Sequence, residues 1–322
     1  MKLNSQRLDA DETAFFEREL TSIEARLYMV LFPERSILSI LKIDSSDGIG
    51  AEQFLYRIYE SIGMAQILAS YAAGDLPTAD IVGSEFVGRF YSFANKFEIT
   101  IQEIRAAAFA NVPIEQFKAD TAQLAHSQAW NNAVWFGDVN HNLQGILTHP
   151  NVTKGYVATV SGHTNWVYEG VANKTPDQIN EDLSAPFRGI RSISKNVEMP
   201  NVLLMGIENF GYIADTMRSS VSDTSILEAF ENRHPGLVVD SVPELDLVPF
   251  DPVTGDAGSG TNCFVYLDNN PVKSVIKGPM PFEMFPPAIN GLQYDIACHS
   301  RFGGFMTRYP LSVSVAVGSD QT

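Results

Sequence analysis

Several groupings of residues in this sequence carry the atom types that chemistry needs, and each fails on spacing. Asp138, Asn140 and Asn142 alternate like the first ligands of an EF-hand calcium loop. Leu143 stands where that loop requires glycine, and His149 where it requires a closing glutamate. The stretch reads instead as a polar turn after a helix. Gly255, Gly258 and Gly260 make a glycine-rich segment without a Lys-Ser/Thr pair or a strand opening into a helix, so it matches neither nucleotide fingerprint. Cys298 and His299 adjoin, which on a strand sends them to opposite faces. With Cys263 they could in principle supply zinc ligands, but no Cys-x-x-Cys spacing supports it. Ser161-Gly162-His163 lacks the strand-to-helix elbow of a hydrolase nucleophile. Asp240, Glu244, Asp246, Asp251 and Asp256 span two segments and read as a solvated acidic face, with a weak metal site as the other reading. The sum is a chain with no catalytic residues, no cofactor and no metal.

The totals narrow the classes further. At 322 residues and 45% apolar content the chain can bury a large core, and about two domains are expected. Two cysteines cannot make a disulfide framework and suit a reducing compartment. The first residues, Met1-Lys-Leu-Asn-Ser-Gln-Arg7, lack the apolar centre of a signal peptide, and no run reaches the length of a membrane span. A soluble, intracellular protein without a membrane partner is expected. The net charge of −16 comes with scattered Lys and Arg, which does not suit a phosphate-gripping surface.

What must position everything else is one long helical pattern over 111–138. Pro113 belongs to its first turn, Glu115 suits the positive dipole end, and Gly137 stands where a left-handed residue would stop it. Ile114, Phe117, Leu124 and Trp135 fall near one azimuth, and an alanine-rich line from Ala122 to Ala133 allows close approach on another. The helix reads as a strut packed on more than one side. Trp130, Trp135 and Trp166 read as packing residues.

Around that strut the chain falls into an ordered series. Residues 9–32 are amphipathic with helical spacing, and Ile37 to Ile43 form a short apolar run expected to be extended. From Gly48 to Phe97 the pattern alternates, with Phe54, Tyr56 and Ile58 on one side, and a turn-rich bend lies between Gly63 and Gly83. This predicts a long two-stranded extension, which is marginal alone and requires a partner surface. A short helix is expected over Thr100–Ala110 and short strands over 153–170. A helix capped by Thr175 should run from Pro176 to about Lys195, a buried strand over Val202–Ile207, and a helix over Asp223–Asn232. Strands follow at Gly236–Val242 and Cys263–Leu267, separated by an acidic loop, Pro243–Gly260. Apolar or alternating pieces lie near Phe282–Phe285, Tyr294–His299 and Leu311–Val317.

This order, together with Phe15-Phe-Glu-Arg-Glu-Leu20, Leu76-Pro-Thr-Ala-Asp80, Ile101 to Ala108, Trp135 to Asp138, Gly145 to Val152 and Arg301 to Tyr309, resembles the major capsid proteins of tailed bacteriophages with the Hong Kong 97 fold. The likeness is to a branch catalogued as a phage capsid domain of unknown function. It implies an α+β fold with an N-terminal arm (1–47), an extended loop (48–97), a peripheral domain (98–175) holding the spine helix 112–136, an axial domain (176–280) and terminal strands (281–322). It also implies hexamers and pentamers closing into an icosahedral shell around double-stranded DNA, with subunit contacts at Phe15, Phe16, Leu20, Phe54, Tyr56, Leu76, Pro77 and Asp80. A separate scaffolding protein, a portal and a decoration protein are the implied partners, and the virion, assembled in the host cytoplasm, the implied location. The Lys–Asn crosslink of the type member has no matching motif here. Two other readings stand beside this one: an encapsulin-like shell around a protein cargo, and a metal-dependent hydrolase using the acids near Asp240–Asp256.

Overall fold

The computed structural model describes residues 36–65, 77–110, 113–168, 171–219, 221 and 223–318. The helix expected over 9–32 and the contacts expected at Phe15, Phe16, Leu20 and Leu76 lie outside them. The first described element corrects the reading of residues 37–43 as extended. Ser36–Ile40 is a helical turn (α1), and only Ile43–Asp44 (β1) continues as strand. Ile37 and Leu41, four apart, fall on one side of that turn and are buried in the main core. Both elements are therefore structural parts of the body, although they fall within 1–47.

β2 (Gln53–Ile62) and β3 (Asp80–Arg89) then pair antiparallel along ten residues each. The expected extension is shorter at its base than the alternation suggested, because its second strand ends at Arg89. β4 (Tyr91–Thr100) leaves it to pair with a strand near the C-terminus. Phe90, buried between β3 and β4, marks the change of sheet. α2 (Ile101–Ala110) follows, and then α3 (Ile114–Phe136), the longest helix described.

α3 differs from its sequence pattern in which side it buries. Its core face is Ala122, His126, Trp130, Ala133 and Val134 with Asn131 and Trp135, whereas Ile114, Phe117 and Leu124 are only half-buried. Pro113 sits one position outside the first turn. Gly137 has φ 68° and ψ −164°, a positive φ outside the left-handed helical well. The chain turns back there and closes the helix end on itself. The N–H groups of Gly137, Ile146 and Leu147 donate to the carbonyls of Ala133, Val134 and Trp135 at 3.0, 2.8 and 3.0 Å, and Thr148 Oγ1 donates to that of Phe136 at 3.0 Å. All four terminal carbonyls are thereby satisfied. Gly145 is required at this return, because a Cβ would lie 2.4 Å from Gly137 N.

The next strands are β5 (Thr153–Tyr156), β6 (Val167–Tyr168) and β7 (Val171–Ala172). α4 (Pro176–Ile193) opens with the capping box its sequence announces. The Thr175 side chain accepts from Gln178 N–H, and the Gln178 side chain accepts from Thr175 N–H. β8 (Val202–Met205), α5 (Ile207–Asp215), α6 (Ile226–Arg233) and β9 (Val238–Ser241) complete a strand–helix alternation, with α6 capped by Ser225 rather than starting at Asp223. The acidic loop is not a loop throughout. It contains a 3₁₀ turn at Pro243–Leu245 and the pair β10 (Val248–Phe250) and β11 (Ala257–Thr261). The remaining strands are β12 (Cys263–Leu267), β13 (Ser274–Lys277), β14 (Met280–Met284), β15 (Ala288–Asn290), β16 (Gln293–Phe302), β17 (Gly304–Thr307) and β18 (Ser314–Val317).

Three sheets organise these elements in an α+β arrangement. The central one has the order β5-β18-β12-β8-β9, and its inner strands β18, β12 and β8 are buried on both faces. Leu203, Met205, Phe264 and Tyr266 point toward the side chains of α4, α5 and α6, while Val202, Leu204, Val265 and Val315 join the α3 cluster. The alternation is the period-2 geometry of a strand covered twice. A second sheet, β1-β13-β17, and a third, in which β16 pairs with β4 on one side and β14 and β15 on the other, stand beside α3.

Within the layer under α4 lies an ion pair with almost no solvent contact. Lys174 Nζ sits 2.7 Å from Asp182 Oδ2, which also accepts from Trp166 Nε1 at 3.1 Å. Burial pushes the Asp182 carboxyl up, and Lys174 with the N–H groups of Trp166 and Ala158 opposes it. Removing one partner strands the other charge. Lys174→Met is expected to destabilise by about 3–5 kcal/mol in urea unfolding, and Lys174→Met with Asp182→Leu to recover most of that. Equal loss in single and double variants would show that the pair holds nothing.

Candidate functional site

The β2–β3 ribbon is the place where the sequence builds apolar surface and the fold leaves it uncovered. Because directly opposed residues share a face, the register sorts the ribbon into two sides. One side carries Phe54, Tyr56, Ile58 and Phe86 and turns toward the chain's own body, where all but Phe86 are half-buried. Tyr56 stacks on Phe86 with ring centroids 5.2 Å apart, and Phe54 lies 5.1 Å from Phe90. Gly88 makes room for Phe54, whose ring would meet a Cβ there at 2.1 Å. The other side carries Leu55, Tyr59, Ile81 and Val87, all exposed, with Tyr59 at 66%. An Arg57–Glu85 ion pair of 3.1 Å crosses the strands between them, itself exposed and so worth little to stability.

The ribbon is held at its base by charge. Lys277 Nζ, on β13, sits 2.7 Å from Asp44 Oδ2 and 2.7 Å from Asp47 Oδ2, with its side chain 7% exposed. The same ammonium lies 5.6 Å from the centroid of the Phe54 ring. Arg301 Nη1 donates to the carbonyl of Ile49, and Phe90 N–H to that of Glu52 at 3.0 Å. One lysine thus joins β1, the following loop and the second residue pair of the ribbon.

Two further surfaces are uncovered. α2 buries none of its residues, and Phe109 at its end is 95% exposed. Met284, Phe285, Ile289 and Leu292, at the far end of the β14–β15–β16 sheet, are exposed together. Unsatisfied strand edges and exposed apolar patches of this kind mark contact surfaces.

The expected contact residues separate on this geometry. Phe54 and Tyr56 have partners within the chain, while Pro77 and Asp80 are exposed where the ribbon resumes, opposite Ile62. Sequence reading chose the aromatic side of β2 and passed over Leu55 and Tyr59, whose outward direction depends on which face the body covers. Lys277 lies about 230 residues from its aspartates, so no local signal announces it.

The acidic set divides: Asp240 and Asp256 are exposed, as a solvated face requires, and the other three are employed within the fold. Asp246 accepts from the N–H groups of Ile207 and Glu208 at the start of α5, Glu244 accepts from Asn131 Nδ2 of α3, and Asp251 from the Tyr156 hydroxyl. These carboxylates close helix ends and inter-element gaps. Cys298 is buried on the face of β16 opposite to His299. Asp138 accepts from Asn140 N–H at 2.9 Å within the turn after α3 and approaches His141 Nδ1 to 2.6 Å. Among the described residues no three His, Cys, Asp or Glu side chains converge as a metal site would need. No helix among them is long and apolar enough to cross a membrane.

The sequence matches a family described as major capsid protein over residues 63–318. Among solved structures, the chain is similar to the capsid of Myoviridae phage XM1, with a TM-score of 0.77 at 12% identity, covering 98% of this chain and 100% of that one. The capsid of a native GTA particle gives a TM-score of 0.64 at 13% identity, covering 98% and 100%. A structure from Mycobacterium phage Adephagia gives 0.63 at 12%, covering 98% and 99%. No curated protein matches the sequence.

Two groups at the ribbon's root set an acid response. His149 is buried, and burial first, with Lys154 second, holds it down to about 4. Its Nδ1 accepts from Asn151 N–H at 3.2 Å, which the neutral ring alone can do. For a depressed histidine, the stabilising contribution is full above its ordinary value near 6.5 and is lost as pH falls toward about 4. Asp44 is held at about 2: burial raises it, and the hydrogen bonds from Lys277 and Ser46 outweigh that. Its contribution is full above about 3.8 and is lost as pH falls toward about 2. Unfolding free energies from urea titration are expected to drop in these two stages, by about 3 kcal/mol for His149 and about 1–2 kcal/mol for partly exposed Asp44. His149→Gln should take the share of His149 out of the upper stage and leave the lower; a stability flat from pH 7 to about 4 would refute the first assignment.

Proposed function

The chain belongs to the major capsid protein family, and on that premise we propose that it builds the shell of a tailed bacteriophage. Copies associate as hexamers and pentamers of an icosahedral shell that encloses double-stranded DNA, without base-specific contacts. The observation that carries the reading is the β2–β3 ribbon, a ten-pair strand extension with exposed leucine, tyrosine, isoleucine and valine side chains. An isolated two-stranded ribbon is marginal in water and gains stability when a second surface covers it. Neighbouring subunits supply that surface in this reading, at Leu55, Tyr59, Ile81 and Val87, and at Pro77 and Asp80 near the tip.

The rest of the proposed organisation follows the sequence divisions. Residues 1–47 act as an arm, with Phe15, Phe16 and Leu20 as contacts and its last part fixed in the body. Residues 48–97 include the extended loop, 98–175 the peripheral domain with its spine helix, 176–280 the axial domain, and 281–322 the returning strands. A separate scaffolding protein, a portal and a decoration protein are its partners, and assembly takes place in the host cytoplasm before the protein becomes part of the virion. The role is structural rather than enzymatic. A net charge of −16 suits a wall that surrounds a polyanion without adhering to it.

The test separates folding from assembly. Leu55→Asp with Tyr59→Asp changes exposed positions, so the unfolding free energy from urea titration should move by no more than about 0.5 kcal/mol. Closed shells or rings of five and six in negative-stain micrographs should disappear. Phe54→Asp, in contrast, should lower the midpoint, because that ring lies beneath Lys277 and beside Phe90. Normal shells from the double variant would remove the ribbon from the contact.

A further inference from the structure

His126 lies in the middle of the buried face of α3, 5% exposed, where the helix crosses the β4–β16 sheet. Its hydrogen bonds form a chain with only one consistent direction. Asn95 Nδ2 donates to the carbonyl of Ala122 at 3.2 Å, so its Oδ1 is the acceptor for His126 Nε2–H at 3.0 Å. Trp130 Nε1–H donates to Ser300 Oγ at 3.2 Å, and the Ser300 hydroxyl then donates to His126 Nδ1 at 2.8 Å. The neutral ring with its proton on Nε2 completes every bond. A second proton, on Nδ1, would face the Ser300 hydroxyl across the bond that now holds its hydrogen. Ser300 Oγ would then receive two N–H groups, and its own hydrogen would lose its acceptor.

Among the described residues no counter-charge stands on that face. From β4 it meets Asn95, with Phe93 and Phe97 beside it; Lys96 and Glu98 alternate to the other face. From β16 it meets Ser300 and the buried Cys298, whose thiol burial pushes up and so keeps neutral. From β14 comes the edge of the Phe282 ring, 5.0 Å away, while Glu283 opposes His299 across the strands. One turn away on α3 itself are Ala122 and Trp130. The titratable group whose charge reaches His126 is His299, and a proton there repels a second one. Burial, the larger effect, acts in the same direction.

We propose that His126 is a proton-operated latch: neutral, it ties α3 to β4 and β16, and protonated, it releases the helix from that sheet. Acid would thus loosen the seam between the longest helix and the sheet from which the ribbon departs, while the β5-β18-β12-β8-β9 core stays closed. The inference uses only the fold and stands whether or not the shell reading does.

Hydrogen exchange followed by mass spectrometry on the full-length chain, from about pH 7.5 to about pH 5, tests it. After correction for intrinsic rates, amides of residues 122–130 and 298–302 should open more as pH falls below 6.5, by up to about tenfold per pH unit. Amides of β8 and β12 should not change with them. Exchange of the imidazole carbon-bound hydrogen in the same samples reports the protonation of His126 itself, and its midpoint should coincide with the opening in the wild-type chain. His126→Gln, which cannot take up the proton, should abolish the acid response of both segments, whereas His149→Gln and His299→Gln should retain it. Protonation of His126 without opening of the two segments would overturn the latch, as would an unchanged acid response in His126→Gln.

Discussion

A single buried ammonium group decides where the ribbon stands. Lys277 has left water, which costs several kcal/mol, and two carboxylates together with an aromatic face replace its hydration. Those partners come from β1 and from the loop leading into β2, so the chain entering the ribbon cannot swing without uncovering the charge. The strand that carries the lysine is held in turn by β1 on one side and β17 on the other. The exposed side of the ribbon is therefore presented in a fixed direction by a charge that never faces the partner.

The body behind that clasp is rigid for a different reason. A central sheet covered on both faces fixes its strands through apolar packing, and α3 is joined to it by a helix end with all four terminal carbonyls occupied. The return segment Gly145–Thr148 does this with backbone groups, one hydroxyl and a glycine that leaves room for the approach. Polar side chains then finish what backbone cannot reach. Glu244 and Asp246 bridge the 3₁₀ turn to α3 and α5, a structural employment of carboxylates that composition alone presents as acidity.

How far the fold was legible follows from the range of each signal. The capping box at Thr175, the strand alternation of 53–62 and the length of α3 are local patterns, and the folded chain keeps them. The turn at Ser36–Ile40 was misread because five apolar residues in seven fit either period, and only the core tells which face is used. The buried side of α3 was misjudged because His126 and Asn131 count as polar until Ser300, Asn95 and Glu244 arrive from elsewhere. Leu55 and Tyr59 were passed over because alternation shows that a strand has two sides, not which one the body takes. Lys277 and its aspartates carry no spacing at all, since topology alone brings them together.

The pairing of β4 with β16 joins segments about two hundred residues apart. A closure of that span pays its loop entropy late, and during synthesis it must wait until β16 has left the ribosome. The root of the ribbon is anchored on the same late-closing region, through Lys277 of β13 and Arg301 of β16. Nascent chains therefore hold the β2–β3 ribbon without a fixed direction until β13 and β16 have been made. The order of synthesis thereby acts as a timer, delaying the oriented display of the exposed apolar side chains until the β4–β16 sheet has closed behind them.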